Sequence, residues 1–186
     1  MVSATTWVLA IFIAAVYLAS LYNQYVTLKH NVTKAWSNVD VLLKQRNDEL
    51  PRLIAACKPY MQYEQALFQE IARARALETT ARAAANPRQV GSTETELRRS
   101  TAKLLALVER YPELKAGDVF AHIAKRIAEL EQSIADRRTF YNNTVQLNNM
   151  AVERFPGNLF ARCFGFSQAD GFHFVQPGEL KAGRNV

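Results

Sequence analysis

Trp7-Val-Leu-Ala-Ile-Phe-Ile-Ala-Ala-Val-Tyr-Leu-Ala-Ser-Leu-Tyr22 decides how the rest of this chain is read. No Lys, Arg, Asp or Glu occurs from Met1 to Leu28, and neither Pro nor Gly interrupts that stretch. A helix of about 20 apolar residues crosses a ~30 Å hydrocarbon core, and Thr5 to Gln24 supplies such a segment. Trp7, Phe12, Tyr17 and Tyr22 are its aromatic residues. Trp7 lies at one end and Tyr22 at the other, followed by Tyr25, where amphipathic rings favour the headgroup layer. A cleavable signal peptide would want a basic segment before a shorter apolar run. None precedes this one, so an uncleaved single-pass anchor over residues 1–28 is expected. Lys29, Lys34, Lys44 and Arg46 follow the span. The excess of cytoplasmic Lys and Arg beside membrane helices then puts the N-terminus outside and the large domain in the cytoplasm.

Working outward, apolar residues recur at the three-and-four spacing of amphipathic helices. Val32, Trp36, Val39 and Leu43 form a stripe that leaves the membrane span without a break. Pro51 then interrupts, with Asp48 as a cap, and a turn or sharp kink is expected near 47–51. A second helix carries Ile54, Cys57, Met61, Glu64, Phe68, Ile71 and Arg75 and stops at Asn86-Pro87. Residues 86–92 read as a loop. Thr93 with Glu96 resembles a capping box that opens a third helix, closed by Pro112. The longest helix runs from Gly117-Asp118 to Phe155, before Pro156-Gly157. The expectation is an all-α fold: an N-terminal transmembrane helix continuing into an antiparallel up-and-down four-helix bundle with coiled-coil-like seams. The bundle occupies 29–157, with helices at about 29–48, 51–84, 93–111 and 118–155, and a Phe-rich tail fills 158–186.

The 186 residues carry 23 basic and 17 acidic side chains, a net charge of +6. The charges are interspersed (Arg73, Arg75, Glu78, Arg82; Glu94, Glu96, Arg98, Arg99), which reads as a solvated helix face and not a nucleic-acid-binding stripe. His30, His122 and His173 are dispersed, without metal-ligand spacing. No Gly-rich phosphate loop and no nucleophile elbow occurs. No catalytic residue, metal or cofactor is therefore predicted, and Cys57 and Cys163 read as small buried apolar residues.

Polar residues falling on or beside the apolar stripes are more telling. Asp40, Glu64, Arg75, Arg137, Asn142 and Asn148 are expected to form a buried polar layer that fixes helix register, with Arg137 paired to Glu64 or Asp40. Six of the ten phenylalanines fall between 155 and 174. They either cap the open end of the bundle or touch lipid or a neighbouring subunit, with Phe160, Phe164 and Phe166 as the contact residues. On the second reading, removal of residues 159–186 leaves the bundle folded.

Three blocks of sequence resemble the LemA family. The first is Val32-Thr-Lys-Ala-Trp-Ser-Asn-Val-Asp-Val-Leu-Leu-Lys-Gln-Arg46 with Leu50-Pro51-Arg-Leu-Ile54. The second is Tyr111-Pro-Glu-Leu-Lys-Ala-Gly-Asp-Val-Phe120. The third comprises Arg137-Arg138, Tyr141-Asn142, Asn148, Phe155-Pro156-Gly157-Asn158 and Gly165-Phe166. They occur in order over about residues 21–174. Tyr63 stands before Glu64 where many members have His, and Leu147 before Asn148 where Tyr is common. The resemblance implies a bacterial inner-membrane protein with an N-terminal span and an antiparallel helical bundle. Some relatives are linked to internal membrane formation or envelope homeostasis, and no catalytic residue is generally accepted for the family. The expected role is a non-enzymatic scaffold or membrane-shaping element that works on the lipid bilayer as a homo-oligomer. The alternative is an adaptor that positions another envelope protein.

Overall fold

The computed structural model describes residues 4–173. The described chain is all-helical: α1 (Ala4–Cys57), α2 (Gln65–Ala83), α3 (Pro87–Val108), α4 (Pro112–Lys115), α5 (Asp118–Glu153) and α6 (Gly157–Phe164). At 1.5 Å per residue the 54 residues of α1 extend about 80 Å. Its first turns leave Trp7, Ile11, Phe12, Val16 and Leu18 uncovered by any other part of the protein. Among the described residues, α1 alone is long and apolar enough to cross a membrane.

Pro51 does not make the turn expected of it; α1 runs through it to Cys57. A proline in a helix cannot donate to the carbonyl four residues back, which here belongs to Asn47. Arg75 of α2 supplies the missing donor, its Nε lying 2.9 Å from the Asn47 oxygen. Helix α1 instead ends at Cys57, ahead of Pro59, which disfavours helical geometry at Lys58. The tight turns Tyr60 N to Cys57 O (3.1 Å) and Glu64 N to Met61 O (3.3 Å) then reverse the chain. Ile54 and Cys57 thus belong to α1, and Met61 is a buried residue of the turn. Arg75→Met should strand the Asn47 carbonyl and cost about 1–3 kcal/mol. The same change in a Pro51→Ala background should cost clearly less. Equal losses in both backgrounds, by urea unfolding, would show that Arg75 does not serve this carbonyl.

The 86–92 segment is helix, not loop. Asn86 is the N-cap, its side chain accepting from Gln89 N at 3.2 Å, and Pro87 occupies the first turn, where a missing N–H is harmless. Thr93 points back along α3, donating to Gln89 O and Val90 O. Third, Pro112 opens the short α4 after α3 has ended at Val108.

The order of contacts sets the directions. Along α1, Tyr25, Trp36 and Arg46 meet Ala151, Tyr141 and Glu131 of α5 in descending order. Asp40 and Asn47 meet Arg82 and Glu78 of α2, and Glu70 meets Lys103 of α3. Three buried clusters follow among the described residues, the smallest of them around Tyr25, Phe160 and Ala161. Of the larger two, one, far from the apolar N-terminal run, joins Leu53, Cys57, Ile71, Leu104 and Ile123. The other, nearer to it, joins Val39, Leu43, Val90, Ile134 and Tyr141.

Phe172 lies fully buried in that second cluster, against Trp36 and Tyr141. The chain leading to it is held to α5 by asparagines that read its backbone. Asn142 accepts from Phe172 N at 2.8 Å and donates to Phe172 O at 2.9 Å. Asn149 does the same at Ala169, at 2.8 and 3.0 Å. Where this segment crosses α3, a Cβ on Gly91 would lie 2.1 Å from the His173 carbonyl oxygen. The tail up to His173 is therefore part of the folded unit. Phe174 and everything beyond lie outside the described residues.

Candidate functional site

The interior holds a layer of charge, in which Glu78 and Glu94, expected on a solvated face, and Arg46, counted among the basic residues that follow the span, are all buried. Arg46 sits on the α1 stripe Val39, Leu43, Leu50, Leu53. Glu78 sits on the α2 stripe Ile71, Ala74, Ala81, and Glu94 on the α3 stripe Val90, Leu97, Thr101. Glu78 and Glu94 are 0% exposed and Arg46 is 1% exposed. Arg46 and Glu94 form a two-bonded pair, with Arg46 Nη1 2.5 Å from Glu94 Oε1 and Nη2 on Oε2. Arg46 Nη1 also reaches Glu131 Oε1 of α5 at 2.8 Å, and Arg98 Nε meets the other Glu131 oxygen at 2.9 Å. One guanidinium thus ties α1, α3 and α5 together. Burial alone would lower the Arg46 pKa, but Glu94 and Glu131 outweigh it and hold the guanidinium charged.

One turn away, Asn47 Nδ2 donates to Glu78 Oε2 at 2.6 Å and to Thr79 Oγ1 at 2.8 Å. Arg82 Nε bonds Asp40 Oδ1 at 2.7 Å and lies 3.7 Å from Glu78 Oε1. Glu78 Oε1, Asn47 Oδ1 and Arg46 Nε are buried without a hydrogen-bond partner. Burial pushes the Glu78 carboxyl up to about 7, against the lowering pull of Arg82 and Arg46. A proton on Oε1 turns an unpartnered acceptor into a donor.

This makes stability depend on pH. The folded pKa of about 7 lies above the ordinary 4.5, so the folded state binds the proton more tightly than the unfolded chain. The contribution of Glu78 is present in full below pH 4.5 and is lost as pH rises through 7. The loss is about 3 kcal/mol at 1.36 kcal/mol per pKa unit. Glu78→Gln should flatten this part of the profile. Urea midpoints at pH 5 to 8 that change identically in the two proteins would remove Glu78 as its source.

The predicted layer is only partly this one. Asp40, half-buried, joins it through Arg82. Arg75 caps the carbonyl beside Pro51, and Asn142 and buried Asn148 hold the tail, Asn148 Nδ2 lying 3.3 Å from Ser167 O. Glu64 sits at the N-cap of α2 without a side-chain capping bond. Arg137 is exposed. At 100° per residue the stripe through Ile134 and Tyr141 passes through Arg138, so Arg137 falls off the buried face. Spacing could have found Arg46, Glu78 and Glu94, because each continues an apolar stripe. Their charge argued against burial, and only partners on other helices overrule that. Buried Cys57 fits expectation, with burial pushing its thiol up to about 11; Cys163 is exposed. Among the described residues no three His, Cys, Asp or Glu side chains form a group able to hold a metal.

A second constellation stands where α1 leaves its apolar run. Tyr25 donates to Ala151 O at 2.6 Å and stacks on Phe160 and Phe166, with centroids 5.8 and 5.2 Å away. Tyr22 meets Phe164 and Phe166 edge-on at 5.8 and 6.0 Å. Phe160 is buried, Phe166 half-buried and Phe164 exposed. A Cβ on Gly157 would lie 2.3 Å from Tyr25 Oη, so glycine lets the start of α6 come this close. The expected choice between cap and contact surface is divided: one face of α6 seals the core, and the other stays open.

An uncovered apolar helix that runs on into a charge-paired helical core defines a membrane-associated, all-α protein. The chain belongs to the LemA family, whose family model matches residues 35–183. Magnetosome proteins MamQ 2 and MamQ 1 of Paramagnetospirillum magneticum are each 22% identical to it, over 92% of this chain and 73% of theirs. Magnetosome protein MamQ of Magnetospirillum gryphiswaldense is 21% identical, over 85% of this chain and 66% of its own.

Proposed function

We propose that this protein is a non-enzymatic scaffold of the bacterial inner membrane, its N-terminus outside and its domain cytoplasmic, acting by homo-oligomeric assembly to organise or shape the bilayer. In this reading α1, α2, α3 and α5 form an antiparallel up-and-down four-helix bundle. The supporting observation is an uncovered seam on α5: Phe140 and Leu147, seven residues apart and thus on one face, are 54% and 59% exposed. Large apolar side chains left open on a helix beside an uncovered span suit a like surface on a second copy. The magnetosome proteins among the relatives support the membrane-shaping role.

The test is the native mass of the full chain extracted in detergent. A particle of several identical copies is expected, reduced to monomer by Phe140→Glu with helicity unchanged. A reporter fused after Val186 should read cytoplasmic, and clear periplasmic activity would overturn the orientation. The adaptor reading has its own support at the far end, where Met61 and Phe68 line an open groove of about 680 Å³ near Tyr63, 96% exposed. A wild-type monomer that co-purifies with one other envelope protein would favour it.

A further inference from the structure

Between α1 and the end of α5 lies a groove of about 720 Å³, and we propose that it holds the acyl chain of one membrane phospholipid, with the phosphate beside Arg154. This deepens the reading of residues 5–24 as a membrane span and rests on it.

Depth argues first. Tyr17, Leu21 and Leu28 form one wall. Tyr17 lies seven residues inside the end of the apolar run at Gln24, about 10 Å into it, and Leu28 one turn beyond. The groove therefore opens on the hydrocarbon at one end and the headgroup layer at the other. Its opposite wall is Met150 and Phe155, 57% and 75% exposed, apolar groups that the fold leaves unpacked. The floor is fixed: Tyr25 is bonded to Ala151 O at 2.6 Å, and Gly157 abuts its hydroxyl.

Charge argues second. Two charged side chains line the groove, Glu153 and Arg154. Glu153 accepts a hydrogen bond from Gln168 at 2.7 Å. Arg154 is exposed and forms no ion pair among the described residues. Tyr25 meets Ala151 and Trp36 meets Tyr141, so Arg154 stands level with the end of the apolar run of α1, with Tyr17, Leu21 and Phe155 deeper. An exposed guanidinium at that depth matches a phosphodiester over its acyl chain.

The test uses the full chain in detergent micelles, incubated with either phosphatidylglycerol or diacylglycerol, with bound lipid counted by native mass spectrometry. The wild type should hold one phosphatidylglycerol per chain and less diacylglycerol. Tyr17→Gln with Phe155→Gln, both on the hydrocarbon side of Arg154, should lower retention of both about tenfold. Arg154→Gln should lower phosphatidylglycerol several-fold and leave diacylglycerol unchanged, since only the former carries a phosphate. All three positions are exposed, and far-UV circular dichroism should show unaltered helicity. Equal retention in the double variant, or an unchanged lipid preference in Arg154→Gln, overturns the proposal. A chain that stays soluble without detergent overturns the span reading and the groove with it. Failure of the groove alone leaves the chain in the membrane fraction. The same spectra report copy number, so scaffold assembly is scored separately.

Discussion

Arg46→Met is expected to destabilise the folded state by about 3–5 kcal/mol, the cost of stranding buried charge. Methionine fills the stem of the arginine but leaves Glu94, 0% exposed, without its two-bonded partner. Glu131 keeps Arg98 at 2.9 Å and is 24% exposed, so the penalty falls mainly on Glu94. The double variant Arg46→Met with Glu94→Leu should recover most of the loss, because an apolar pair of similar volume has no desolvation to repay. Unfolding in urea, read as a double-mutant cycle, measures this coupling. A single-variant loss under about 1 kcal/mol would mean that water reaches the pair. Exposed Arg137 provides the contrast: Arg137→Met should stay within about 0.5 kcal/mol, the usual range for surface changes.

Phe172→Ala should cost about 3–5 kcal/mol, as removal of a fully buried ring does when the cavity relaxes only in part. Phe172 is 0% exposed and fits edge-on to Trp36, beside Tyr141, although it lies beyond α6. Deleting residues 159–186 takes away Phe160 and Phe166 as well, uncovering Tyr25. The truncated chain should therefore melt well below the full one and below Phe172→Ala. This reverses the expectation that the bundle survives the truncation intact. A truncated chain with the wild-type Tm would show that the tail contributes nothing to the core.

Sequence alone determined the class of fold and its attachment. A charge-free run from Met1 to Leu28 has few destinations other than a bilayer, and period-3.6 stripes from Val32 to Val152 leave no place for strands. It also supplied the family, through ordered blocks at Val32–Ile54, Tyr111–Phe120 and Arg137–Phe166. Tertiary structure decided which of two prolines turns the chain. Pro51 and Pro59 look alike in sequence, but the carbonyl freed by Pro51 is met by Arg75 from another helix, 28 positions away. Moving the turn to 58–64 kept the parity of the helices, so α5 still returns Phe160 and Phe166 to Tyr25. It also decided which charges are inside. Whether Arg46, Glu78 and Glu94 face water or each other depends on partners from different helices arriving at one level. Period and composition describe each helix separately, and a buried ion pair is a property of two or more.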